Sequence, residues 1–176
     1  MDYMPVDYFV VAMEHVFEWE GGEVNDPRDP GGHTKFGISK RSYPHLDISS
    51  LTRKKAIQIY RKDYWELCQC DKLPGPLALM VFDSAVNQGP DRAKKILQAV
   101  LGVKQDGQIG PKTLSAAQEV NLKVALLGYS VRRALHYVRL PTFNYYGKGW
   151  LSRLFDTHAA AMTHYVEEAQ LRKGIR

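Results

Sequence analysis

Long apolar runs are missing from this chain of 176 residues, because Glu14, Asp83 and Arg132 interrupt the best stretches. None approaches the roughly 20 consecutive apolar residues that cross a bilayer, so a transmembrane helix is excluded and no membrane insertion is expected. Cysteine is scarce. Cys68 and Cys70 are the two, too close in sequence for an easy bridge, and they read as reduced thiols. Neither they nor the six scattered histidines form a zinc-ligand spacing or a HExxH pair, so no metal and no cofactor is expected. Met1 to Pro5 has no basic or uninterrupted apolar leader, which predicts synthesis in the cytoplasm without a signal peptide. Internal repeats and low-complexity tracts are lacking too.

What is present fits a globular domain: 44% hydrophobic and 24% charged residues, in a length that buries a sizeable core. The 24 basic and 19 acidic residues leave a net charge of +5. That excess is compatible with nucleic acid, with an anionic envelope polymer or with simple solubility. Its short basic groups, Arg53-Lys54-Lys55, Lys94-Lys95 and Arg132-Arg133, fall on helix flanks and read as solvated faces.

Apolar residues at Val6, Phe9, Val10, Met13, Val16 and Phe17 recur at helical spacing, which predicts an amphipathic helix from near Pro5 to Gly21-Gly22. A turn-rich segment follows, dense in Asn, Asp, Pro and Gly from Asn25 to Gly32. Thr52 is placed to cap a second helix, Pro76 to open a third that ends at Gly89, and Pro90 to open a fourth that stops at Gly102. The loop Gln105 to Pro111 leads into a short helix, and Asn121 caps another that Pro141 stops. The last helix is expected from Trp150 to about Arg172, with Leu151, Leu154, Phe155, His158, Met162 and Tyr165 as its stripe. The pattern is mainly α.

One residue breaks the first stripe. Met13 plus two turns reaches Glu20, which puts a carboxyl group at the border between core and solvent, a setting suited to a general acid. Glu20 at a frayed end facing solvent, or paired with a nearby arginine, fits the same periodicity. Asp29 stands nine residues on and Thr34 five further, both in the segment that must fold back beside the helix end. An acid facing a second carboxylate across an open loop is what glycoside hydrolysis requires, and a threonine hydroxyl can hold the attacking water. Asp29 as a turn cap is the plainer alternative.

The run Glu20-Gly-Gly-Glu-Val-Asn-Asp-Pro-Arg-Asp-Pro-Gly-Gly-His-Thr-Lys-Phe-Gly-Ile38 resembles the signature of glycoside hydrolase family 108, peptidoglycan-cleaving N-acetylmuramidases of phage endolysins and bacterial genomes. The Glu-x8-Asp-x4-Thr pattern is also similar to the Glu/Asp/Thr triad of phage-type lysozymes. Tyr64-Trp65, Phe82 to Gly89, Asp106 to Thr113 and Gly149 to Arg153 extend the resemblance over residues 8–155. The Asp-Gly-x-x-Gly-Pro-x-Thr string resembles a peptidoglycan-binding module, although such a turn also simply docks two helices.

The resemblance implies a lysozyme-like helical fold with a turn-rich or small hairpin active-site loop. It implies Glu20 as general acid, Asp29 as second carboxylate and Thr34 as its partner, with the role of Asp29 as base, nucleophile or stabiliser left open. Residues 1–102 are expected to form the catalytic region and 103–176 a helical C-terminal lobe packed into the same unit. For the glycan groove, Asp83, Asn87 and Gln88 are expected as polar lining, and Tyr64, Trp65 and Trp150, with Tyr145 and Tyr146, as sugar platforms.

Three activities stay open on these residues: hydrolysis of the β-1,4 bond between N-acetylmuramic acid and N-acetylglucosamine, lytic transglycosylation of that bond, and catalytically silent binding of peptidoglycan or nucleic acid. The first is expected. It makes the partner peptidoglycan rather than nucleic acid, the protein a monomer, and its setting a phage endolysin delivered from the cytoplasm to the periplasm and cell wall.

Overall fold

Asp7 starts the first helix. In the computed structural model, which describes residues 6–20, 22, 33–172 and 174, the Asp7 carboxylate accepts hydrogen bonds from the Phe9 and Val10 N–H groups. Helix α1 (Tyr8–Trp19) therefore begins after Asp7 rather than near Pro5, because the aspartate satisfies amides that would otherwise lack partners. Phe9, Ala12, Met13 and Val16 form its buried face, whereas Val6 and Val10 stay exposed. Glu20 is the C-terminal cap residue, with its N–H on the Val16 carbonyl at 2.9 Å.

Past the undescribed stretch lies a two-stranded antiparallel hairpin, β1 (Thr34–Lys35) and β2 (Ile38–Ser39), with Thr34 opposite Ser39 and Lys35 opposite Ile38. Its two turn residues, Phe36 at φ 53° and Gly37 at φ 75°, have the left-handed backbone of a type I′ turn. The Phe36 carbonyl accepts from the Tyr60 hydroxyl at 3.0 Å, and the Phe36 ring packs edge-on against Phe17 of α1. The hairpin is thereby fastened to the end of α1.

Helix α2 (Arg53–Tyr60) is capped by Thr52, whose hydroxyl accepts from the Lys55 N–H. It runs on into a π-helical turn, Arg61–Glu66, and a 3-10 turn, Cys70–Lys72. Both cysteines are buried free thiols. The central helix α3 (Gly75–Gln88) is buried continuously from Pro76 to Ala85, apolar on every side as far as Phe82 and then carrying the buried Asp83 and Ser84. Around it pack α1, α4 (Pro90–Val100), α6 (Leu122–Tyr137) and α7 (Phe143–Arg172). Asn121 caps α6 by accepting from the Val124 N–H.

Helix α5 (Pro111–Glu119) follows a loop held down by one buried amide. The Gln98 carbonyl oxygen accepts from the Gly107 N–H at 2.8 Å, while its amide donates to Asp106 at 2.9 Å and to the Gln108 carbonyl at 3.0 Å. The Asp-Gly-Gln-Ile-Gly-Pro loop is thus docked on α4. Helix α7 is longer than expected and starts at Phe143, seven residues before Trp150. Gly147 leaves room for the Phe143 ring within that extension, because a Cβ there would meet the ring at 2.6 Å. Among the described residues no helix is long and apolar enough to cross a membrane. The architecture is mainly α, lysozyme-like, with one small hairpin.

Candidate active site

Glu20 projects from the end of α1 into a buried row of alternating charges. Its Oε1 accepts from Arg153 Nη1 of α7 at 2.6 Å. Arg153 Nε donates to Asp83 Oδ1 of α3 at 2.7 Å, and Asp83 Oδ2 accepts from Arg133 Nη2 of α6 at 2.8 Å. Two carboxyl groups and two guanidiniums alternate along it. Asp83 and Arg133 are fully buried, Arg153 is nearly so, and Glu20 alone keeps a fifth of its side chain exposed. Four helices meet in this row, so the position of the acid at the end of α1 depends on the packing of α3, α6 and α7.

Burial alone pushes the Asp83 carboxyl up, but the Arg133 and Arg153 guanidiniums outweigh it and hold the group below the usual carboxylate range. Asp83 is therefore an anion, and its work is to orient Arg153. The Arg153 guanidinium spans both carboxylates with separate nitrogens, which a lysine ammonium does not reproduce.

The hairpin covers the other side of Glu20. A Cβ added at Gly37 would lie 2.6 Å from Glu20 Oε2 and would also strike the Tyr60 hydroxyl. Only a glycine leaves room for that carboxylate and supplies the positive φ at this position. Burial and the Glu20 carboxylate push the Tyr60 phenol up, so it stays a neutral donor to the Phe36 carbonyl. Thr34 opens the strand beside this turn.

The row continues outward on the α6–α7 side. Arg133 Nη2 donates to the Tyr137 hydroxyl at 3.1 Å, which donates to Asn87 Oδ1 at 2.6 Å. The Tyr137 ring stacks on Trp150 with centroids 5.3 Å apart, and Trp150 in turn lies against Tyr146 at 5.8 Å. The aromatic stack emerges at the surface, where Tyr146 is 60% and Tyr145 85% exposed.

Several expected site residues have other surroundings. Asp83 does not line a cleft: it is 0% exposed, with both oxygens taken by arginines. Trp65 is not a sugar platform at the surface but core, 1% exposed, packed edge-on against Phe9 and Phe82 with its N–H on Asp71. Tyr64 is half-buried against Tyr60, and Trp150 is half-buried on Tyr137. Gln88 accepts from the Ser84 hydroxyl at 2.8 Å. Asp29 lies outside the described residues.

Arg133 is not on the solvated face expected for Arg132-Arg133 but 0% exposed, and neither it nor Arg153 is among the site residues expected from the sequence. The available signal was a cation inside an apolar stripe. Arg133 stands between Leu126, Tyr129 and Tyr137 at helical spacing, and Arg153 lies next to buried Leu154.

Residues 13–89 match the glycosyl hydrolase 108 family, and residues 92–155 match a predicted peptidoglycan domain. A solved structure, that of SagA from Brucella abortus, superimposes with a TM-score of 0.80 at 38% identity, covering 88% of this chain and 94% of that one. No curated protein matches the chain. Glu20 and Asp83 fall in the first matched segment, Arg133 and Arg153 in the second.

Proposed function

Because the chain belongs to glycosyl hydrolase family 108, and is a glycosidase acting on peptidoglycan, we propose that it hydrolyses the β-1,4 bond between N-acetylmuramic acid and N-acetylglucosamine. Glu20 is the general acid, Asp29 the second carboxylate and Thr34 its partner. The observation that carries the assignment is the setting of Glu20: Oε1 is held by Arg153, while Oε2 faces the hairpin turn at Gly37. With Oε1 occupied by an N–H donor, a proton carried by Glu20 resides on Oε2.

That proton passes to the glycosidic oxygen as its bond to the sugar carbon breaks, leaving an oxocarbenium-like ring. Asp29 stabilises or traps that ring or activates water, and the water, held by the Thr34 hydroxyl, adds to the carbon and gives its proton to Asp29 or to the Glu20 carboxylate left by the first step. Asn87 and the exposed end of the Tyr137–Trp150–Tyr146 stack line the glycan path. In this reading residues 1–102 bring the acid and the loop, and residues 103–176 complete the site through Arg133 and Arg153.

The setting we favour is that of a phage endolysin, which reaches the wall from the cytoplasm of its host. Its support is the resemblance of the Glu20 to Ile38 run to the signature found in endolysins. Purified sacculi test the activity: Glu20→Gln should release no reducing ends, and wild-type release by that variant would overturn the assignment. The setting is checked by expression in a Gram-negative host, where lysis should await permeabilisation of the inner membrane.

A further inference from the structure

Helix α6 has a second face that the active site does not use. While Arg133 points inward to Asp83, Arg132, His136 and Arg139 line a groove with Arg92 and Lys95 of α4. Arg132 and His136 are one turn apart on α6, Arg139 sits in the turn just past its end, and Arg92 and Lys95 are one turn apart on α4, so two basic edges face each other. The groove has a volume of about 230 Å³, and buried Ile96 and exposed Leu135 are the large aliphatic side chains in its lining.

Its charge is poorly compensated. Asp91 pairs with Lys95 at 2.9 Å, but among the described residues no carboxylate pairs with Arg92, Arg132 or Arg139. The groove feels the excess: burial, and then the charges of Arg92 and Arg139, push the His136 imidazole down. Arg92, Lys95, Arg132, His136 and Arg139 lie in the segment that matches a predicted peptidoglycan domain.

We propose that the α4–α6 groove binds the carboxylates of peptidoglycan stem peptides. Charge complementarity selects the ligand. The sugars of the polymer present hydroxyl and amide groups, whereas its stem peptides carry free carboxylates flanked by small aliphatic side chains. Planar guanidiniums take carboxylates in paired hydrogen bonds, and Ile96 and Leu135 give the aliphatic groups an apolar surface. The inference rests on the peptidoglycan-hydrolase reading and adds to it a peptide-recognition site on the outer face of the helix whose inner face completes the active site.

The test uses the full chain with labelled histidine, titrated with a free stem tetrapeptide. Binding should shift the His136 ring resonances and raise its titration midpoint, because the ligand's charge offsets Arg92 and Arg139. The double variant Arg92→Gln, Arg139→Gln should bind at least about tenfold more weakly, and a peptide with amidated carboxyl groups should not bind. Equal binding by the variant or by the amidated peptide would overturn the proposal. Tighter binding of a glycerol-phosphate polymer or a single-stranded oligonucleotide at the same ionic strength would reassign the groove to phosphates and likewise overturn it.

Kinetics supply an independent arm. On intact sacculi the double variant should show a raised KM with kcat unchanged, and on glycan strands stripped of peptide, with the lactyl carboxyl groups so freed converted to amides, it should match the wild type. An equal loss on both substrates would count against peptide recognition. If the wild type cuts neither substrate, the hydrolase reading fails and the peptide titration still decides the groove.

Discussion

Arg153 Nη1 lies 2.6 Å from Glu20 Oε1, and the same guanidinium holds Asp83 at 2.7 Å. A residue of the last helix therefore sets the rotamer of the acid at the end of the first. Such a fork fixes geometry, and geometry is what proton transfer to a glycosidic oxygen demands. A buried ion pair contributes little net stability against an apolar replacement, yet breaking one side of it is costly. Specificity of position is the better account of this row.

Replacement of Arg153 separates the two effects. Arg153→Met should lower kcat on sacculi by about 100-fold, through misplacement of Glu20. It should also reduce stability by about 3–5 kcal/mol, because Asp83 loses a partner inside the core. Arg153→Lys should regain more stability than activity, since one ammonium does not span two carboxylates. Urea unfolding beside reducing-end kinetics reads both; wild-type kcat in the lysine variant would remove the positioning role.

Gly37 is a steric prediction. Gly37→Ala puts a methyl group against Glu20 Oε2 and the Tyr60 hydroxyl, at a backbone angle of φ 75° that alanine disfavours. Activity should fall by about 100-fold while the helical circular dichroism is kept, because the hairpin is small beside the helical core. An active Gly37→Ala enzyme would show that Glu20 does not need this arrangement.

Asp83 gives the acid limb of stability. Its folded-state value lies below the unfolded one, so its contribution is complete above the unfolded value of about 3.9 and is lost as pH falls through the lower folded value. Urea midpoints of the wild type should therefore drop on acidification below about pH 4. Asp83→Asn should be less stable by about 3–5 kcal/mol at neutral pH, because Arg133 and Arg153 lose their counter-charge. Its profile should also be flatter in the acid window. An unchanged slope there would mean that other carboxylates carry the acid response.

Asp29 decides the form of the product. Under hydrolysis, Asp29→Ala should cost at least about 100-fold in rate. Mass spectrometry of the wild-type digest should find muropeptides with hydrated reducing ends. Anhydro products, made as well by the variant, would identify a transglycosylase that needs Glu20 alone.

Much of this was legible in the chain. Apolar spacing located α1, α3 and α6, and Thr52 and Asn121 marked two helix starts, because capping and periodicity are local properties read within one turn. The same periodicity singled out Glu20 as an acid where an apolar residue belonged. Local signals have limits: they put the start of α1 near Pro5 without singling out Asp7 as its cap, and the spacing of Trp65 and Asp83 does not reveal how deeply each is buried.

By itself, then, the sequence determined the helical periods, the caps, the acid that interrupts a stripe and the loop signature after it. Only the tertiary structure decided what faces that acid. Arg133 and Arg153 lie 113 and 133 residues from Glu20, and no periodicity links positions so far apart. Their charges are tolerated in the core only because Asp83, from a third helix, stands between them. That pairing exists once four helices have packed, and it is what holds the acid of the first helix in place.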